Sequence, residues 1–140
     1  MDGKTTPYLD LAALSAVGET LLDPRPAFVF SADGTRLLFA NVAGAAFFDE
    51  RQMDDLLKRR FSDLNPIKNQ VARLARALPT ESPRLEILRI GQGVSLVTLP
   101  AACRRLNLAN DERAVLAMGM GGSRSESLTA SAERLVAAIG

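Results

Sequence analysis

Residues 27–41 read Ala27-Phe28-Val29-Phe30-Ser31-Ala32-Asp33-Gly34-Thr35-Arg36-Leu37-Leu38-Phe39-Ala40-Asn41. Two apolar runs, Ala27 to Ser31 and Arg36 to Ala40, flank the dipeptide Asp33-Gly34. Short apolar and aromatic runs bounded by turn residues read as strands. Asp-Gly between two of them marks a tight turn, because glycine accepts the positive φ that such a turn needs. Residues 27–40 are therefore expected to form a β-hairpin. Asn41 stands where the second strand ends, and its side chain can accept from backbone N–H groups just downstream. It is expected to cap a short helix over Val42 to Phe48.

Upstream, Thr6-Pro7 is a helix start signal: threonine caps, and proline suits the first helical position, where its missing N–H would be unpaired anyway. Leu11, Leu14, Val17 and Leu21 then recur at steps of three and four, which stacks them on one helical face. Pro24 and Pro26 close the element. Such a stripe either lies on the chain's own core or meets a second copy as a dimer interface, and periodicity alone does not name the partner.

Downstream, Asp49 with Gln52 three residues on resembles a capping box opening a helix whose apolar face is Met53, Leu56 and Leu57. Asn65-Pro66 repeats the cap-then-proline signal. Ile67, Val71, Leu74 and Leu78 follow at steps of four, three and four, with Lys68, Arg73 and Arg76 off the stripe. Three strands are expected next, over 84–90, 94–108 and 112–120, separated by turns at Gly91-Gln92-Gly93 and Ala109-Asn110-Asp111. Pro100, which cannot donate to a ladder, is expected at a bulge or an edge. Gly119-Met120-Gly121-Gly122 breaks the last strand. Ser123 and Glu126 then suggest a second capping box, ahead of a helix with Leu128, Ala132, Leu135 and Ile139 on one face. That helix is still apolar at Gly140, so the natural chain is expected to continue. The expected division is a flanking helix over 1–23, a domain over 24–120 and a connector helix over 121–140.

The composition narrows the chemistry. The chain of 140 residues has no histidine and one cysteine, Cys103. Ser-His-Asp and Cys-His catalysis, His-ligated zinc and His-ligated haem are thereby excluded, as is an internal disulfide. The net charge of +1 offers no field for nucleic acid or an anionic membrane. The basic runs Lys58-Arg59-Arg60 and Arg104-Arg105 read as solvated element ends. Asp49, Glu50, Asp54 and Asp55 read as helix-dipole and solvent-facing acids rather than a metal site. Gly119-x-Gly-Gly lacks the residues of a phosphate loop and reads as a hinge. No signal peptide or membrane span is legible, so a cytoplasmic protein is expected.

The order of helix, hairpin, short helices, three-strand meander and exit helix resembles the PAS family. The likeness is strongest over 27–41, where an apolar strand, a D-G turn, a second strand and the helix-starting Asn41 follow one another. The run from Val94 to Met118, with Arg104-Arg105 before an Asn-Asp turn, looks like PAS domains of alphaproteobacterial sensor histidine kinases, including cell-cycle types. The resemblance implies an α+β fold: a five-stranded antiparallel sheet with helices on one face, and signal flow into the C-terminal helix. In flavin-binding PAS domains a reactive cysteine sits in a helix corresponding to Gly44-Ala45-Ala46-Phe47-Phe48, which has none. With no histidine for haem either, no cofactor is expected.

Two functions follow. The first is a sensory and dimerisation module of a bacterial signalling protein, a histidine kinase by resemblance. It homodimerises through Leu11, Leu14, Val17 and Leu21, and drives a downstream effector domain, or answers a regulatory protein, through the connector residues Leu128, Leu135 and Ile139. The second is a small-ligand sensor whose apolar cavity is lined by Phe28, Phe30, Phe39, Phe47, Phe48 and Met53. An independent enzyme is not expected, because only scattered carboxylates are available as acid or base.

Overall fold

The computed structural model describes residues 15–79, 82–92, 94–108 and 112–120. The elements are α1 (Ser15–Gly18), β1 (Ala27–Ser31), β2 (Leu37–Ala40), α2 (Val42–Phe47), α3 (Met53–Lys58), α4 (Pro66–Ala77), β3 (Arg84–Gln92), β4 (Ser95–Asn107) and β5 (Arg113–Gly119). The strands make one antiparallel sheet in the order β2-β1-β5-β4-β3. The first and last strands are thus central neighbours, while β2 and β3 are opposite edges. The connection from β2 to β3 must cross the sheet, and it does so as α2, α3 and α4 on one face. This is the α+β architecture expected from the sequence.

The hairpin turns where Asp33-Gly34 was expected to turn it. Gly34 has φ +74 and donates its N–H to Ser31 O at 2.9 Å. Asp33 Oδ1 accepts from Ser31 Oγ, Thr35 N and Thr35 Oγ1 at 2.8, 3.0 and 2.7 Å. Gly34 also sits against the first turn of α4: an added Cβ would lie 2.1 Å from the carbonyl oxygen of Lys68. β2 begins at Leu37 rather than Arg36, and its pairing with β1 is irregular. Phe28 faces Ala40, Val29 faces Phe39, and Phe30 faces Leu37, which leaves Leu38 as an extra residue. Such a bulge moves everything beyond it to the other face. Leu37 and Ala40 accordingly face the helices, whereas Leu38 and Phe39 both face away.

Two expected element boundaries fall differently. Asp49 does not open a helix but closes one. It is left-handed, with φ 57. Its N–H donates to Ala46 O at 2.9 Å, and that of Glu50 donates to Ala45 O at 3.0 Å. This is the Schellman arrangement at the C-terminus of α2, in a conformation aspartate tolerates. The N-cap of α3 is Gln52, without a side-chain bond, so no capping box forms at 49–52. At the other end, β3 runs on through Gly91 to Gln92, pairing Gly91 with Leu96 and Gln92 with Ser95, where a turn was expected. Asn65 caps α4 as the Asn-Pro signal predicts. Pro100 sits where the ladder of β5 stops: β5 pairs only with Ala101 to Asn107 of β4, Pro100 O accepts from Met120 N just beyond it, and Ser95 to Leu99 have β3 alone as a neighbour.

The core has two layers. Phe28, Phe30, Leu56, Ile67, Val71, Leu74, Leu88 and Ile90 are fully or almost fully buried between the sheet and its helices. On the opposite face Val17, Val29, Leu38, Phe39, Leu108, Ala114 and Leu116 form a smaller cluster beneath the segment containing α1.

Candidate functional site

Five of the six phenylalanines meet between the sheet and the helices. β1 supplies Phe28 and Phe30, α2 and its C-cap supply Phe47 and Phe48, and Phe61 comes from the segment between α3 and α4. Phe28 contacts Phe30, Phe47 and Phe48 at centroid separations of 5.8, 5.6 and 5.3 Å. Phe61 closes the set at 6.2 Å from Phe30 and 6.0 Å from Phe48. These are edge-to-face and tilted pairs at the spacing aromatic quadrupoles prefer. Arg59 lies 5.5 Å from the centre of the Phe48 ring and pairs with Glu50, so the cluster has a cationic lid.

Of the residues expected to line a cavity, Phe28, Phe30, Phe47 and Phe48 come together, and Met53 packs partly buried against them. Phe39 does not join them, because the bulge at Leu38 turns it to the other face. Phe61 belongs to the set and was not read from the sequence, where it stands alone in a polar stretch after Lys58-Arg59-Arg60. Its backbone N–H donates to Thr35 O at 2.7 Å, a contact that no local pattern signals. Of the expected dimer residues, Val17 is fully buried against its own sheet and Leu21 packs beside it. Leu11, Leu14, Leu128, Leu135 and Ile139 lie outside the described residues.

Asn41 is the polar centre of this region and is fully buried. Its Oδ1 accepts from Ala27 N at 2.9 Å and from Gly44 N at 2.7 Å. Its Nδ2 donates to Thr20 O at 2.7 Å and Arg25 O at 2.9 Å. One carboxamide therefore caps α2, pairs with β1 and holds the segment ahead of the hairpin. Gly44 allows this close approach: a Cβ there would come within 2.8 Å of Ala27 O and 3.1 Å of Asn41 Oδ1. Beside it, side-chain and backbone hydrogen bonds from Arg25 hold the Asp23 carboxyl down at about 2. In the core, burial pushes the Cys103 thiol up to about 12, so it stays protonated and unreactive.

Two side chains of the α4 region protect the edge strand. Asn65 donates to Gly91 O at 2.9 Å and accepts from Gly91 N at 2.8 Å. Gln70 donates to Ile87 O at 2.6 Å and accepts from Arg89 N at 3.0 Å. Each carboxamide stands in for one residue of a missing neighbouring strand. A groove of about 450 Å³ runs beside them, flanked by Arg73 and Arg89. A second, of about 340 Å³, lies on the sheet face away from the helices, over Ala102, Leu116, Met118 and Met120, with Arg25 and Arg104 at its rim.

No family model and no curated protein matches the sequence. Solved structures do match in three dimensions. The PAS domain of an HTR-like protein from Haloarcula marismortui aligns with a TM-score of 0.55 at 20% identity, over 76% of this chain and 95% of that one. The fold is a PAS fold. A PAS domain from Desulfitobacterium hafniense aligns with a TM-score of 0.50 at 15% identity, over 72% of this chain and 95% of its own. The PAS sheet and helices here correspond to β1 through β5, with α2, α3 and α4 on one face. Among the described residues no group of His, Cys, Asp or Glu gathers as metal ligands, and no helix is long and apolar enough to cross a membrane.

Proposed function

We propose that this PAS domain is a sensory relay and dimerisation module of a bacterial signal-transduction protein, of the histidine kinase kind, and that it carries no catalysis of its own. It passes partner binding or dimer geometry to an effector domain through the segment after Met120. The observation that carries this reading is the packing of the interior. Phe28, Phe30, Phe47, Phe48 and Phe61 touch one another where a sensor would hold its ligand. A module whose interior is occupied by its own side chains has its surface left to work with.

Light scattering across concentration tests this reading. The chain is expected to dimerise, and Leu11→Glu with Leu14→Glu to yield monomers. Those positions are chosen because Val17 and Leu21 already serve the chain's own core. A monomer at all concentrations, together with thermal stabilisation by a metabolite following mass action, would replace this reading with the ligand sensor.

A further inference from the structure

Helix α4 lies along the outer edge of β3 and runs against it. Asn65, at the start of the helix, binds both backbone groups of Gly91, and Gln70, further on, spans Ile87 O and Arg89 N. Pro66, Asn69, Gln70 and Arg73 stand three and four residues apart, so they share one face of α4. That face, with Ile87 and Arg89 of β3, lines the groove of about 450 Å³. Ile87 is 51% exposed, and Pro66, Asn69, Arg73 and Arg89 are exposed as well. From Pro66 to Arg73 the helix rises about 10 Å, the length of about three residues of extended chain.

The groove is cationic, and no acid lines it. Helix α4 carries Lys68, Arg73 and Arg76 and neither aspartate nor glutamate. Lys68 is engaged by Asp63, and Glu86, the one acid of β3, by Arg84. Among the described residues Arg73, Arg76 and Arg89 have no acidic partner. A guanidinium binds carboxylates through a fork of N–H donors. Here Arg73 belongs to the helix wall and Arg89 to the strand wall, and Pro66 and Ile87 add apolar surface to the same groove. Two features limit the occupant. Asn65 and Gln70 already hold outward backbone groups of β3 from Ile87 to Gly91, so the occupant is gripped by its side chains and does not add a strand. Three arginines on a chain of net charge +1 make too small a field for a nucleic acid.

We infer that this groove receives an acidic segment of a partner protein, a stretch in which aspartate or glutamate side chains flank an apolar one. The carboxylates pair with Arg73 and Arg89, Arg76 extends the cationic face by one turn, and the apolar side chain covers Pro66 and Ile87. This rests on the relay reading, whose partner it describes, but not on the dimer interface at Leu11 and Leu14.

Fluorescence anisotropy on the full chain tests it, with a labelled peptide in which glutamates flank a central leucine. Saturable binding is expected. An exposed carboxylate–guanidinium pair contributes up to about fivefold, so Arg73→Glu with Arg89→Glu should weaken binding about tenfold or more. Both side chains are exposed, and circular dichroism should be unchanged. Arg51→Glu with Arg113→Glu changes the net charge equally at exposed positions outside the groove and should leave binding as it was. Glutamine in place of the peptide's leucine should weaken binding several-fold. Light scattering on the same samples reports the dimer separately, so a failure of the relay reading and a failure of the groove are told apart. No saturable binding, or an equal loss in both double variants, overturns the inference. So does displacement of the peptide by inorganic phosphate where chloride at the same ionic strength has no effect, which would make the groove a small-anion site. Tighter binding of a single-stranded oligonucleotide of matched length would overturn it in favour of nucleic acid.

Discussion

Asn41 Nδ2 donates to Thr20 O at 2.7 Å, joining residues 21 apart in the sequence inside the protein. The same side chain caps α2 through Gly44 N and accepts from Ala27 N. Asn41→Ala removes the cap and leaves several buried backbone groups without partners. A lost cap costs about 1 kcal/mol and each stranded buried group about 1–3 kcal/mol, so a loss of roughly 3 kcal/mol or more is expected in urea unfolding. Asn41→Asp should not rescue it. A carboxylate keeps the acceptor but sets negative charge against the carbonyls of Thr20 and Arg25. A loss under about 1 kcal/mol for either variant would mean that water replaces the carboxamide.

Gly34 faces two separate constraints. Its φ of +74 disfavours any L side chain, and a Cβ would overlap the Lys68 carbonyl, part of the rigid first turn of α4. Relief of the second clash requires α4 to move off the hairpin. Gly34→Ala is therefore expected to cost more than the roughly 1 kcal/mol typical of a left-handed turn glycine, about 2–4 kcal/mol by urea unfolding. A cost at or below the turn value would show that α4 yields freely.

The hairpin was legible because its signals are local: alternation, aromatic runs and Asp-Gly all act within a few residues. Helix α4 was legible for the same reason, with Asn65-Pro66 at its start and Ile67, Val71 and Leu74 on its stripe. The face of Phe39 was not, because one extra residue in β2 reverses it and nothing in Leu37-Leu38-Phe39 announces the bulge. Asp49 with Gln52 satisfied the capping-box pattern, yet the closing turn of α2 claimed Asp49 first. The place of Phe61 depends on Thr35 O, and the extension of β3 to Gln92 depends on Asn65. Contacts of that range leave no periodic trace.

Phe61 tests how much the aromatic cluster contributes. It is almost fully buried and touches both Phe30 and Phe48. Phe61→Ala is expected to cost about 3–5 kcal/mol, as for other large-to-small changes in a core, and Phe61→Leu less than half of that. Thermal or urea unfolding checks both. Near-equal losses would mean that ring geometry, rather than filled volume, is what Phe61 supplies.

The turn at Asp23 makes stability depend on acid pH. Hydrogen bonds from Arg25 hold its carboxyl at about 2, below the ordinary 3.8. A carboxyl lowered in the folded state stabilises the fold above its unfolded pKa, and that contribution disappears as pH falls toward the folded value. The melting temperature of Asp23→Asn should thus lie below that of the natural sequence at about pH 6, and the gap should close between about pH 4 and pH 2. A gap that stays constant with pH would mean that the Arg25 pairing contributes nothing to folding.

Asn65 and Gln70 make the last prediction, because they occupy backbone groups that an edge strand otherwise offers to another chain. The Gln70 contacts are solvent-exposed, so Gln70→Ala should cost under about 1 kcal/mol, the net value of exchangeable hydrogen bonds. Asn65→Ala also loses the α4 cap and should cost about 1–2 kcal/mol. Their combination has a different consequence. With Ile87, Arg89 and Gly91 uncovered, β3 becomes a free edge carrying the exposed side chains of Leu85 and Ile87. The double variant is expected to associate at protein concentrations where each single variant does not, read as light scattering that grows with time. A double variant that is less stable but stays fully dispersed would show that the twist of the strand already suffices to keep other chains away.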